Sequence, residues 1–197
     1  DVVCPPGWLA SVLRTFKAPA VIGVYGPSRI PPLYRSHRVL YRHPFLRQFY
    51  DYGFVTPERR PGHLTPAGTF VPDPDWRYEG KVEFLEACNM CFRTEALKTI
   101  GGFDEAYGGI GDWSEPDVCF RLRQRFPTQR LWFNPDAGVE HQPSQAGAYA
   151  KRRPQAWIRL RNYRLFAGRW VRPTTRHYLY RSFLYAYYTG HYYGWWR

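Results

Sequence analysis

Two groups of acidic residues and a histidine occur close together in this chain. The acids are Asp104-Glu105 and Glu115-Pro116-Asp117, and His141 follows them. The protein as a whole is basic, with a formal net charge of +12, so these carboxylates are not needed for solubility. Carboxylates accept protons from hydroxyl groups, and together with histidine they bind metal ions. The segment therefore predicts chemistry on a polar, metal-bound substrate.

The second acidic group lies at the start of a helix predicted for residues 115–126. Ser114 suits the N-cap position, and Asp117 lies three residues later, where its carboxylate can bond back to the cap amide. A capping box alone explains this pattern. The glycines of residues 107–111 favour a second interpretation, in which the acids lie at a flexible helix mouth and the helix dipole keeps them ionised. An ionised carboxylate in this position can act as a general base.

The elements that must position these residues alternate along the chain. Helices are predicted at residues 8–16, 94–100 and 115–126, and strands at residues 20–25, 82–92, 131–133 and 138–140. Alternation of strands and helices is typical of the α/β class. Gly101-Gly102 is expected to end the second helix. Residues 27–80 are rich in Pro, Arg and Tyr and show no sustained helical or strand periodicity. This pattern indicates a long, partly ordered loop, of the kind that has a functional role in compact domains.

Length and composition fit a single domain with a hydrophobic core, since 44% of the 197 residues are hydrophobic. Four cysteines are too few for a disulfide scaffold, and the first residues do not resemble a signal peptide. Reduced thiols are therefore expected. Cys88 and Cys91 have the CxxC spacing, but no second pair follows, so we interpret them as buried strand cysteines and not as a zinc site.

The last 47 residues differ in composition from the rest. Residues 151–197 contain eleven Lys or Arg, no Asp or Glu, and 14 of the 37 aromatic residues. Basic, aromatic surfaces suit anionic lipid headgroups or nucleic acid. The uncharged stretch 182–196 is too short to span a bilayer and is expected to lie on an anionic membrane surface. The basic residues expected to assist it are Arg169, Arg172, Arg176 and Arg181.

Four motifs occur in a characteristic order between residues 86 and 141. They are Glu-Ala-Cys-Asn-Met-Cys-Phe-Arg from residue 86, Gly-Gly-Phe-Asp-Glu from 101, Ser-Glu-Pro-Asp-Val-Cys-Phe-Arg from 114, and Phe-Asn-Pro-Asp-Ala from 133 through His141. Together they resemble the second half of a family 2 glycosyltransferase with the GT-A fold. The start, Asp1 to Leu9, resembles the segment that begins at the last aspartate of that family's DxD motif.

This resemblance implies an incomplete, Rossmann-like GT-A domain in residues 1–150 that lacks its N-terminal nucleotide-binding half. Residues 151–197 would form a basic, aromatic helical tail. A chain of this kind is a fragment, or a truncated or split protein with a missing partner half. Residues 1–197 alone are then expected to bind nucleotide sugars poorly and to expose apolar surface beside the strand at residues 20–25.

The resemblance also implies a role for each acid. Counting back from Arg121, Glu115 matches the catalytic base, although many relatives have Glu-Asp where this chain has Ser114-Glu115. Asp117 matches the second acid of the catalytic pair, which orients an acceptor hydroxyl or holds the loop. Asp104 and Glu105 are expected to hold the glycine turn.

Substrate and metal residues follow from the same comparison of motifs. Asn89 matches a residue that lines the sugar site, Trp113 an aromatic residue that contacts the acceptor, and Arg121 a residue that supports the acids. Asp1 and His141 match ligands of a divalent cation, Mn²⁺ or Mg²⁺, bound to the donor diphosphate. For Trp113 core packing, and for His141 a structural role, remain open as alternatives.

The implied function is inverting transfer of a sugar from a nucleotide-sugar donor to a glycan or lipid-linked acceptor. Cell-surface polysaccharide or glycoconjugate synthesis at the cytoplasmic inner face of the membrane would use this reaction. Acceptor contacts are expected in residues 28–80, and no nucleic acid partner is expected. The alternatives are a noncatalytic glycosyltransferase remnant and, less favoured, a basic nucleic-acid-binding module.

Overall fold

The computed structural model describes residues 2–29, 59–65, 68–70, 74–142 and 155–193. Within these ranges the chain forms a mixed α/β structure with two mixed sheets and five helices, so the predicted α/β class is confirmed. The strands are β1 (Val2–Val3), β2 (Val21–Tyr25), β3 (Ser28–Arg29), β4 (Gly80–Val82), β5 (Cys91–Phe92), β6 (Arg130–Phe133) and β7 (Val139–His141). The helices are α1 (Trp8–Phe16), α2 (Thr94–Thr99), α3 (Ser114–Arg125), α4 (Ala156–Trp170) and α5 (Thr175–Tyr193).

A four-stranded sheet with the order β4-β6-β2-β5 forms the centre of the fold. Strand β2 is parallel to β6 and antiparallel to β5, and β6 is antiparallel to β4. All five residues of β2 are buried, as expected for an apolar run that is covered on both faces. Helix α3 contributes Val118, Cys119 and Leu122 to the cluster of buried side chains on this sheet.

A smaller sheet, with the order β1-β7-β3, brings the start of the chain beside residues from its middle. Strand β7 is antiparallel to β1, with Val2 opposite His141. It is parallel to β3, with Ser28 opposite Val139. Residues that are more than a hundred positions apart in the sequence therefore share one sheet.

Local sequence signals predicted two helices well. Helix α1 begins and ends at the predicted residues. Helix α2 ends at Thr99, and the following glycines have positive φ angles of 75° and 74°. The amides of Gly101 and Gly102 donate to the carbonyls of Lys98 and Leu97, which is how left-handed glycines satisfy the last carbonyls of a helix.

The single strand predicted for residues 82–92 is wrong. The structure has two short strands here, β4 and β5, separated by a loop at residues 83–90. Cys88 adopts a positive φ of 41° in this loop, and the buried Asn89 side chain donates to the carbonyls of Gly26 and Ala137. These bonds draw the chain out of the sheet.

The expectation of buried strand cysteines is wrong for Cys88, which is exposed and lies in the loop between β4 and β5. Cys91 lies on β5 and is half-buried.

The basic tail is helical, as predicted, and shares a core with the preceding part of the chain. Tyr163 and Phe166 of α4 and Tyr180 of α5 lie in one buried cluster with Tyr107 and Trp113. Among the described residues, no helix combines the length and apolar character that crossing a membrane requires.

Candidate functional site

Helix α3 places the two acids of the Glu-Pro-Asp motif in different environments. The helix begins at Ser114, one residue earlier than predicted, and its N-cap is Trp113, which has a φ of 76° and forms no side-chain cap bond. The predicted capping box is therefore absent. Glu115 lies in the first turn and is half-buried, whereas Asp117 is completely buried.

The carboxylate of Asp117 accepts four hydrogen bonds. The Tyr107 hydroxyl and Trp170 Nε1 donate to Oδ1 over 3.0 and 2.8 Å. Arg169 Nη1 also donates to Oδ1 over 3.2 Å, and Arg121 Nε donates to Oδ2 over 2.9 Å. Of the two roles expected for Asp117, these bonds support the holding of structure, because they join α3 to α4.

Arg121 and Arg169 extend this network to the glycine turn. Arg121 Nη1 and Nη2 donate to the carbonyls of Ile100 and Gly102 over 2.9 and 2.6 Å, so Arg121 connects Asp117 to the glycine turn. Arg169 Nη1 is 2.6 Å from Asp104 Oδ2. Asp104 also accepts from the Ala106 amide, and these two bonds lower the pKa of Asp104. Asp104 therefore holds the turn, as predicted.

The glycine-rich approach to α3 is tied to helix α4. Gln155 Oε1 accepts from the Ile110 amide over 2.8 Å, and Asn162 Nδ2 donates to the Gly108 carbonyl over 2.9 Å. Arg159 forms an ion pair with Asp112. The predicted flexible mouth is thus a loop with three points of attachment to α4.

Asn89 and Trp113 make extensive contacts inside the protein. Asn89 is buried, and in addition to its two donated bonds its Oδ1 accepts from Trp8 Nε1 over 2.9 Å. Trp113 is also buried and stacks on Phe70 and Phe166, with ring centroids 4.6 and 5.2 Å apart. Both side chains hold neighbouring elements in place, and for Trp113 the packing alternative is the one that these contacts support.

A carboxyl group that received no role from its sequence lies close to the first turn of α3. Glu86 is half-buried in the loop between β4 and β5. Burial, and then the negative charge of Glu115, raise the pKa of Glu86 to about 7. Desolvation of the sulfur, and then the negative charges of Glu86 and Glu115, raise the pKa of the Cys88 thiol. Glu86, Cys88 and Glu115 are therefore close enough to affect one another's ionisation.

The loop that carries Glu86 connects this region to the smaller sheet. Cys88 Sγ is 3.8 Å from the hydroxyl of Ser28 on β3, and β3 pairs with β7, which ends at His141. The candidate site thus consists of the first turn of α3, the loop at residues 83–90 and the adjoining sheet. We refer to these three parts as the acid site.

Of the two predicted metal ligands, the structure describes only His141. His141 is half-buried at the end of β7, opposite Val2, and Asp1 lies outside the described residues. In the part of the chain that the structure describes, no group of three His, Cys, Asp or Glu side chains can hold a metal ion. An imidazole alone does not fit Mg²⁺, which requires oxygen ligands. The residues predicted for acceptor contacts, 30–58 in particular, also lie outside the described ranges.

The raised pKa of Glu86 has a consequence for stability. The folded chain retains the Glu86 proton up to about pH 7, while the unfolded chain releases it near pH 4.5. The contribution of Glu86 to the free energy of unfolding therefore decreases as the pH rises between these two values, and it is constant at higher pH. At about 1.36 kcal/mol per pH unit, this loss is up to about 3 kcal/mol.

We accordingly expect Glu86→Gln to be more stable than the original chain at pH 8 and equally stable at pH 4. Urea unfolding at the two pH values measures the difference. Glu95→Gln is the matched control, because Glu95 is exposed on α2, and it should not alter the pH dependence. An unchanged pH dependence in Glu86→Gln would contradict the assignment.

No family of known proteins, no curated protein and no solved structure matches this chain. The chemistry of the acid site therefore rests on the residues themselves and on their geometry.

The sequence predicted Glu115, Asp117 and Arg121 as site residues but did not indicate two other kinds of residue in the same region. Glu86 stands in the first of the four motifs, yet nothing in the sequence shows that it lies near Glu115. Tyr107, Arg169 and Trp170 bind Asp117 from distant positions. No local pattern in the sequence links these three residues to Asp117. The only available signal was that Arg169 and Trp170 are basic and aromatic residues with no acidic residue close to them in the sequence.

Proposed function

We propose that this protein is an inverting glycosyltransferase that moves a sugar from a nucleotide-sugar donor to a glycan or lipid-linked acceptor. The observation that carries the proposal is the position of Glu115. It is a half-buried carboxylate in the first turn of α3, beside the loop that leads to the sheet of β7 and His141. The proposed fold is the acceptor side of a GT-A domain.

The rigidity of the surroundings supports a positioned base. Asp117, two residues after Glu115, is held by four donors, one from α3 itself, one from the preceding loop and two from α4. The start of the helix therefore has a defined place relative to α4 and the glycine turn. A general base must lie within hydrogen-bonding reach of the proton that it removes, so a fixed helix start favours catalysis.

In the proposed reaction, Glu115 accepts the proton of an acceptor hydroxyl group. The acceptor oxygen forms a bond to the anomeric carbon as the bond from that carbon to the nucleoside diphosphate breaks, so the configuration inverts. The electron pair of the broken bond leaves with the diphosphate. Asp1 and His141 would hold a divalent cation of the Mn²⁺ kind, which accepts both carboxylate and imidazole ligands, and the cation would supply positive charge to the leaving diphosphate.

Sugar transfer is the test of this proposal. The complete polypeptide encoded by the gene is incubated with Mn²⁺ and labelled UDP-glucose, UDP-galactose or GDP-mannose, and lipid and glycan extracts are counted. Transfer that depends on Glu115 supports the proposal. Binding of a donor without any transfer, in membranes that contain the natural acceptors, would instead support the noncatalytic alternative.

We also propose that helices α4 and α5 lie on an anionic membrane surface, at the cytoplasmic face where lipid-linked acceptors are found. Several large side chains on these helices are exposed, namely Trp157, Ile158, Tyr178, Leu179 and Tyr193. Exposed rings and aliphatic groups beside basic residues suit the interface between headgroups and acyl chains. Arg169 is not available for lipid, because it is bound to Asp104 and Asp117.

This orientation predicts that Arg172→Glu weakens membrane binding. Arg172 is exposed between α4 and α5, and each basic residue near an anionic surface contributes about 1 kcal/mol, so a loss of at least about fivefold is expected. Flotation with vesicles of anionic and neutral lipid measures it. Lys81→Glu, on the exposed side of β4, is the control and should bind as before. Equal flotation with both lipids would contradict the proposal.

A further inference from the structure

The loop that carries Glu86 is fixed against helix α3. The amide of Leu85 donates to Cys119 Sγ over 3.3 Å in the buried core. Cys119 follows Glu115 by four residues, so both side chains lie on one face of the helix, a single turn apart. Glu86 is the residue after Leu85. The backbone thus brings Glu86 to the first turn of α3, where Glu115 stands.

The charged group that acts on Glu86 is another acid, Glu115, and Glu86 in turn acts on the Cys88 thiol. Arg123 acts on Cys119, but its guanidinium is 4.0 Å from Glu83, which takes up part of its charge. The two carboxyl groups therefore interact without a described cation that neutralises Glu86.

The charge of Glu86 also acts on a buried hydroxyl group, that of Tyr25. Tyr25 on β2 is fully buried, and among the described residues no group forms a hydrogen bond with its hydroxyl. Burial, and then the charge of Glu86, raise the pKa of Tyr25. A buried polar atom of this kind calls for a partner, and a protonated or ionised carboxyl group can serve as one.

Two interacting carboxyl groups that are partly removed from water do not both ionise readily. One of them keeps a proton, and its O–H group is then a donor, while the ionised neighbour is an acceptor. Such a bond fixes the orientation of the acceptor carboxylate. Glu115 is the member of the pair on the rigid helix start.

We propose that Glu86 positions the Glu115 carboxylate by donating a hydrogen bond to it from a protonated carboxyl group. Glu115 remains the group that takes the acceptor proton, and Glu86 acts only through it. The carboxyl pair itself stands on the geometry of the loop and helix, whereas its role in positioning a base rests on the proposed function.

Carbon-13 NMR of the purified chain with labelled glutamate side chains tests the pair without any substrate. One carboxyl resonance is expected to titrate near pH 7 and to be missing in Glu86→Gln. In Glu115→Gln the midpoint of that resonance should fall, because the neighbouring negative charge is gone while the burial of Glu86 is unchanged. Glu95→Gln removes an exposed carboxylate on α2 and should leave the midpoint unchanged.

Titration of Glu86 in the ordinary range of glutamate, or an unchanged midpoint in Glu115→Gln, would overturn the pair. The second comparison keeps Glu86 in place, so it remains decisive even where Glu86→Gln does not fold. These spectra do not depend on sugar transfer. A confirmed pair in a protein without transferase activity would therefore refute the proposed function and leave the pair intact.

The pH dependence of turnover tests the positioning role. In the original enzyme kcat should decrease as the pH rises through about 7, because the Glu86 proton is lost and the two carboxylates repel each other. In Glu86→Gln the amide keeps a donor at every pH, so this decrease should disappear while KM is unchanged. A decrease that persists in Glu86→Gln would show that Glu86 does not position the base.

Discussion

Glu115→Gln is expected to lower kcat by at least about two orders of magnitude, the usual contribution of a general base. The amide cannot accept the proton of the acceptor hydroxyl, although it has nearly the same size and position as the carboxylate. Donor binding should change little, because Glu115 acts on the acceptor. Initial rates of sugar transfer and calorimetric titration with the nucleotide sugar measure the two effects.

Glu105→Gln provides a matched control for this substitution. Glu105 is exposed in the turn before the glycine-rich loop, so the same chemical change there should leave kcat unchanged. Turnover that survives Glu115→Gln, with activity lost on substitution of Asp117 in folded protein, would show that the two acids have the opposite roles.

Asp117→Asn is expected to destabilise the protein by about 3–5 kcal/mol, the usual cost of removing one partner of a buried charge pair. Asp117 is completely buried and accepts bonds from Tyr107, Arg121, Arg169 and Trp170. An asparagine directs an N–H group at some of these donors and leaves the guanidinium of Arg121 without its carboxylate. Urea unfolding measures the loss.

Asp136→Asn is the control for the buried pair. Asp136 forms an ion pair with Arg14 over 3.0 Å, but both side chains are mostly exposed, so its removal should change stability by less than about 1 kcal/mol. If Asp117→Asn were no less stable than Asp136→Asn, the network around Asp117 would not hold α3 to α4.

These two predictions give different roles to two acids that are two residues apart: Glu115 is the general base, and Asp117 holds the structure. On a helix, residues at i and i+2 face different directions, so Glu115 lies toward the acid site while Asp117 lies toward α4. Once a helix is predicted for residues 115–126, it follows that the two acids face different sides of it. The prediction does not show which of the two side chains is buried.

The tail illustrates the same division between composition and structure. Its excess of basic residues is visible in the sequence and predicts an anionic partner. In the structure, Arg159 of this tail forms an ion pair with Asp112, and Arg169 forms ion pairs with Asp104 and Asp117. Part of the positive charge is therefore internal, and the proposed membrane surface depends on the remaining basic residues and the exposed rings.

The α/β class, helix α1, the end of α2 and the presence of acids at the start of α3 could all be predicted from the amino-acid sequence. These features follow from periodicity and turn chemistry, which act between residues a few positions apart. Three other features could not be predicted and emerge only when the helices pack on the sheet: Asp117 is enclosed by donors from α4, Glu86 lies near Glu115, and Val2 pairs with His141. Such contacts join segments that are tens of residues apart, and they depend on how the helices pack on the sheet, which local pattern does not encode.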